Sequence, residues 1–247
     1  WDDYVKLTLT AREEMTIFIL LVVAFAIKMP LFPFHTWQPD TYETSPTPVT
    51  MVLSAIMAKM GIFGLLRWLA PVVPAATYQW GDNFATLAVV GMLYASFVAL
   101  KQDDLKRLIA WSSIAHIGLM ILALFAPSYS GIQGIMIQMF NHGINILGMW
   151  ILVNVIEQQF GTRKISELGG LAQKAPALTI LTLIVVLANI AMPLTNAFIG
   201  EFMMFNGVWG STATQYGKVF AVAGIITIIL SAVYSLRMVQ KVFYGPT

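Results

Sequence analysis

The stretch FAIKMPLFPFHTWQPD, residues 25–40, decides how the chain is read. It opens as the tail of an apolar run, then places Lys28, Pro30, Pro33 and His35 where a membrane span would continue. Each proline lacks a backbone donor and frees a carbonyl, so a helix arriving here is interrupted. At membrane depth, irregular backbone survives only where it is buried in protein or lines a watered cavity. Lys28 therefore reads as a charge set beside a polar gap. The competing reading is a lysine that snorkels to the headgroups.

The composition around that stretch supports a membrane setting. Of 247 residues, 58% are hydrophobic and 11% charged, with a mean hydropathy of +0.76. Soluble domains carry about 25% charged residues. Several apolar runs approach the roughly 20 residues that cross the hydrocarbon core. The fold class is all-α: a polytopic transmembrane helical protein. Cysteine is absent, which removes thiolate metal sites, iron–sulfur clusters and disulfides from this chain. With three histidines and no haem-attachment motif, the chain is not expected to carry electrons. A net charge of +2 with no polybasic run argues against nucleic acid. The first residue is Trp1 and no signal-peptide layout follows, so a longer polypeptide with helices before Trp1 is expected.

Seven spans are predicted, near residues 16–30, 49–69, 84–100, 105–125, 132–156, 177–209 and 218–242. The first and sixth are interrupted by proline and polar residues. Turn signals lie at PVVP (71–74), APSYSG (126–131) and GTRKISELGG (161–170). Lys101, Lys106, Arg107, Arg163, Lys164, Lys174, Arg237 and Lys241 fall on one side. Lys6, Arg12, Arg67 and Lys218 fall on the other. The positive-inside rule puts the larger group in the cytoplasm.

The motif IKMPL at 27–31 is echoed by IAMPL at 190–194, each in a proline-broken span with an ionisable residue nearby, Lys28 or Glu201. Paired broken helices point to a transporter built from repeats. The expected organisation is an extramembrane segment over 1–15, the end of a first repeat over 16–70, and a second repeat over 71–247.

Ionisable residues inside spans are costly, about 2.5–3.5 kcal/mol for a lysine at the helix centre. Lys59 lies near the middle of MVLSAIMAKMGIFGLL, flanked by Ser54, Gly61 and Gly64, small enough for a helix or water to approach. The functional reading is a desolvated amine that gains and loses a proton. The bland reading is a paired or snorkelling lysine. His116 in WSSIAHIGLMIL has Ser112 one turn before it. His142 in MIQMFNHGINILGMW has Gln138 and Asn145 at helical spacing. A histidine accepts on one nitrogen while donating from the other, as a relay requires, although a lone buried histidine is often only a core residue. Glu201 in NAFIGEFMMF is the acid placed within a span, a terminus for a proton path or a helix fastener. His35, Asp40 and Glu43 match no metal-site spacing, and PDTYETSPTP reads as a loop capped by Thr47 and Pro48. No Walker or GxGxxG motif occurs, which argues against nucleotide binding.

The runs IKMPLFPFHTWQPDTYETSPTPV, LSAIMAKMGIFGLLR, DDLKRLIAWSSIAHIGLM and NAFIGEFMMF occur in that order, and together they resemble the antiporter-like proton-channel subunits of respiratory complex I. The resemblance covers essentially the whole chain, roughly the second half of such a subunit. A glutamate at the second break favours the M-type branch. The family fold holds two five-helix inverted repeats, each with a discontinuous helix, around a hydrated midplane axis. By resemblance, Lys28 is the lysine of the first broken helix, Lys59 the bridging lysine, His116 and His142 the axis histidines, and Glu201 the terminal group. The glutamate that partners the first lysine belongs to an earlier helix and has no counterpart here.

What the resemblance implies is a proton-translocating subunit of NADH:quinone oxidoreductase, driven by quinone reduction elsewhere in the assembly. FMN, iron–sulfur clusters and quinone are expected in partner subunits, with no cofactor or metal in this chain. Partners would be other membrane-arm subunits, including adjacent antiporter-like ones, with the lipid bilayer around and protons as cargo. The expected location is multi-pass in a bacterial plasma membrane. Subunits of multisubunit sodium/proton antiporters and of membrane-bound hydrogenases share these motifs. A structural scaffold whose polar residues only fasten helices is the alternative of another class.

Overall fold

A computed structural model describes residues 2–246. Among them the long elements are all helices. In chain order these are α1 (Ala11–Lys28), α2 (Trp37–Thr44), α3 (Thr47–Val72), α4 (Pro74–Ala99), α5 (Leu105–Phe125), α6 (Tyr129–Phe160), α7 (Pro176–Asn189), α8 (Asn196–Trp209) and α9 (Gly217–Tyr244). Helices α3, α4, α5, α6 and α9 are each long and apolar enough to cross a membrane. The first and sixth expected spans are the broken pairs, α1 with α2 and α7 with α8. The chain is an integral, multi-pass membrane protein.

Three helices start at side-chain caps that the sequence supplies. Thr10 and Glu13 form a reciprocal capping box at the head of α1. Glu14 reaches across to accept from the backbone N–H groups of Ala75 and Ala76, 2.8 and 3.2 Å away, neutralising the start of α4. Asp104 caps α5 through Lys106 and Arg107, and Ser128 caps α6 through Gly131. Gly161, in the left-handed region at φ 72°, ends α6.

One stretch read as a loop is helical. WQPDTYET forms α2 because Pro39 falls in its first turn, where a missing N–H costs nothing, and Asp40 favours the same end. The chain then turns at Ser45, and Pro46 rather than Thr47 stands at the cap of α3, with no side-chain cap bond. Pro48 sits at the start of that helix, as the sequence implies.

Helix α5 is the axis of the bundle, with every residue except Arg107 buried. Its two halves join different apolar cores. Leu105–Ala115 packs with Ala95, Trp150 and Phe243 towards the end that carries most of the basic residues, and Ile117–Phe125 packs with Ile62, Met92 and Met204 towards the other. Ser112, Ser113 and His116 lie at the level where one core gives way to the other. This polar layer holds the site.

In a bilayer, helices associate by close contact rather than by escape from water, so small residues mark the interfaces. Helices α6 and α8 meet through Gly131, Gly134, Gly200 and Gly207. A Cβ on Gly207 would stand 2.6 Å from the Gly131 Cα, and one on Gly134 would stand 2.8 Å from the Met204 backbone nitrogen. Backbone on the far side cannot swing away. Gly207→Ala is expected to cost about 1–3 kcal/mol by overpacking, read as a lower melting temperature and reduced assembly of the full-length subunit.

Candidate functional site

Glu201, on α8, is 2% exposed and lies beside His116 of α5, with Oε1 3.1 Å from Nδ1. Gln138 of α6 donates through Nε2 to the same oxygen at 3.1 Å. The approach depends on the neighbouring glycine: a Cβ on Gly200 would meet the Gln138 Cα at 3.2 Å. A buried carboxylate needs a charged or hydrogen-bonding partner. Here one oxygen has two hydrogen-bonding partners. The His116–Glu201 contact has two forms related by one proton: an imidazole N–H donating to carboxylate, or a carboxyl O–H donating to the ring nitrogen. The site can therefore hold a proton and pass it on.

The opposite ring nitrogen of His116 faces the Ser231 hydroxyl at 3.4 Å. Towards α3, the ring of His142 lies 5.5 Å from that of His116, centroid to centroid. His142 is 2% exposed, and neither of its nitrogens has a hydrogen-bond partner among the described residues. Beyond it, α3 packs against α6 next to His142, where a Cβ on Gly143 would stand 3.2 Å from the Ala55 carbonyl. Lys59 is itself buried, and its amine donates 2.5 Å to the Ser54 carbonyl, five residues back in one of two wide π turns of α3. Such turns open the hydrogen-bond ladder and recur at functional sites. Lys59 also lines a pocket of about 450 Å³ walled by Met60, Phe63, Met139 and Phe140.

Three of the five expected residues, His142, His116 and Glu201, thus follow one another across the bundle, and Lys59 is buried on the helix that packs beside His142. Lys28 is not joined to them. It is half-buried at the last residue of α1, where the helix dipole favours a cation, and makes no hydrogen bond or ion pair among the described residues. The gap beside it is real. After Met29 the chain leaves the helix, and the Trp37 indole donates to the Ile27 carbonyl at 2.9 Å, satisfying one acceptor that the break would orphan.

The second break, between α7 and α8, places Ala191 and Leu194 at positive φ (53° and 77°). It is clamped by α6, where Asn145 donates to the Ala188 carbonyl (3.0 Å) and Asn141 to the Asn196 carbonyl (2.7 Å). Asn196 closes the loop by donating to Asn145 Oδ1 at 3.1 Å. Sequence reasoning passes over Asn141 and reads Asn145 only as a polar neighbour of His142. It also passes over Asn189, Ser231 and Tyr234, although Thr227, Ser231 and Tyr234 form a helical stripe in an otherwise apolar helix.

His35, Asp40 and Glu43 go separate ways. His35 is enclosed by the rings of Phe32, Tyr94 and Trp111, 5.3–5.6 Å distant. Asp40 and Glu43 both pair with Arg107, at 3.0 and 2.6 Å. Arg163 extends that lattice to Glu43, Asp104 and Glu157, and Lys106 joins Glu157 at 2.9 Å. These charges fasten α2 to the start of α5 and the end of α6.

The family model "NADH:quinone oxidoreductase/Mrp antiporter, TM" matches residues 2–231. NADH-quinone oxidoreductase subunit M of Rhodobacter capsulatus is 36% identical over 238 residues, 96% of this chain and 46% of that protein. The subunit M of Escherichia coli (strain K12) is 32% identical over 245 residues, 99% of this chain and 47% of that protein. A chain of respiratory complex I from Thermus thermophilus with bound NADH superposes with a TM-score of 0.92 at 30% identity, covering 100% of this chain and 52% of that one. The chain spans about half the length of the relatives it matches.

Proposed function

The chain belongs to the family of NADH:quinone oxidoreductase and Mrp antiporter membrane subunits, and from that premise we propose that it forms part of an M-type, proton-translocating subunit of complex I in a bacterial plasma membrane. Quinone reduction in partner subunits, which would carry FMN and iron–sulfur clusters, supplies the driving force. This chain supplies no redox centre and moves protons. Lys59, His142, His116 and Glu201 carry them along the midplane, and Lys28 exchanges protons at the first break. The two breaks mark the corresponding points of a pair of repeats, one ending near residue 70 and one beginning near residue 71. Adjacent antiporter-like subunits would be its neighbours in the membrane arm.

The observation that supports this best is the buried Glu201–His116 hydrogen bond, with the His142 ring 5.5 Å further on. Unit charges at that separation interact by about 3 kcal/mol at an effective dielectric near 20. A proton on one ring therefore changes its neighbour's proton affinity by roughly two orders of magnitude. Coupling of that size makes protonation travel, because one group's gain is the next group's release.

The test is purification of the full-length subunit with its native complex, followed by identification of the other chains by mass spectrometry. Flavin and iron–sulfur proteins are expected. Sodium-dependent transport without them would assign the chain to a multisubunit antiporter, and a nickel-containing partner to a membrane-bound hydrogenase.

A further inference from the structure

Helix α9 carries a polar stripe of which the site above uses only Ser231. Thr227, Ser231 and Tyr234 follow one another at spacings of four and three, and Lys241 continues the same face to the cytoplasmic end. Thr227, Ser231 and Tyr234 are buried at 6, 2 and 2% exposure. The Tyr234 hydroxyl donates 2.9 Å to the Ser112 hydroxyl, which also receives Asn189 at 3.5 Å. Ser231 lies three residues before Tyr234, on the same face of α9. Ser231 in turn faces His116 Nε2. A pocket of about 260 Å³ lies on the cytoplasmic side of Tyr234, lined by Tyr234 together with Lys101, Asp103, Arg237 and Lys241. That volume exceeds what a chain of several waters needs, at about 30 Å³ each.

We propose that this pocket and Tyr234 form a proton inlet from the cytoplasm to His116. The inference rests on the proton-carrying role given above to His116 and Glu201. The Tyr234 hydroxyl turns from Ser112 to Ser231, three residues back on the same face of α9, and accepts a proton from pocket water on its oxygen as its own proton passes to Ser231. Ser231 passes its proton to His116 Nε2, and His116 releases the one on Nδ1 to Glu201 Oε1. One proton leaves the water and one arrives on the carboxylate, with no net change between. Rotation of the two hydroxyls and the return of the ring to its starting tautomer reset the path. The pocket holds three cations against Asp103, which already accepts from the Ser166 backbone and hydroxyl. This positive mouth opposes a proton standing there, so uptake waits on an ionised Glu201 to draw it inward.

The test uses the full-length subunit in its purified native complex, reconstituted in vesicles. Tyr234→Phe keeps the ring and removes the hydroxyl, and pumping is expected to fall at least five-fold with a larger H2O/D2O rate ratio than the parent's. In a second arm, Lys241→Cys is reacted with a bulky thiol reagent from the cytoplasmic face, with the treated parent as baseline. Pumping should drop at least five-fold relative to the unlabelled variant. Parent-level pumping in either arm overturns the inlet. If Tyr234→Phe does not assemble, the cysteine arm decides alone. Glu201→Gln measured alongside separates the two ideas: loss there with normal Tyr234→Phe defeats the inlet only, whereas normal pumping in Glu201→Gln defeats the relay beneath it.

Discussion

Lys59→Ala is expected to abolish proton pumping while the complex still assembles. Its amine donates to a carbonyl of its own helix, so truncation leaves no side chain of another helix without its partner. Removing an amine from the membrane interior also relieves an insertion cost of about 2.5–3.5 kcal/mol. What disappears is the buried titratable amine on the helix that packs beside His142. The measurement is the proton-to-electron ratio of the reconstituted complex. A ratio near the parent's would remove Lys59 from the relay.

Glu201→Gln isolates the proton from the scaffold. The amide oxygen of glutamine can still accept from His116 and Gln138, so the three-helix contact survives and parent-like assembly is expected. Pumping should fall at least ten-fold, because the replacement neither gains nor releases a proton at physiological pH. Glu201→Met is the contrast. It strands two buried donors, at about 1–3 kcal/mol each, and assembly should suffer with it. A purely structural role predicts that the glutamine variant pumps normally. Proton flux and complex yield, measured on both variants, decide between the two.

Much of this site can be read from the sequence because charge in hydrocarbon is rare enough to stand out. Lys59 and Glu201 declare themselves by cost, and the two histidines by lying in polar company within apolar helices. The breaks are legible because proline has one dominant effect in a helix. What the sequence conceals is pairing between distant helices. Asn141 and Asn145 look like any amides on α6 until the backbone of the second break arrives opposite them. Helix α2 is hidden for a different reason. Its proline reads as a breaker, yet its place in the first turn makes it harmless, and the ion pairs that hold it come from residues 64–120 positions away. Lys28 is the residue whose surroundings the sequence resolves least, since its group makes no contact with the other four.

Helix α5 is buried along almost its whole length in the finished bundle, yet among the five long spans only the less covered α9 is more apolar. A segment walled in by other helices has no need of a greasy exterior. Its composition answers to biogenesis instead. Emerging from the translocon before α6, α8 and α9 exist to surround it, the segment must partition into lipid by itself, carrying two serines and a histidine through on the strength of its leucines and isoleucines. Only when the later segments arrive are those three shielded from acyl chains.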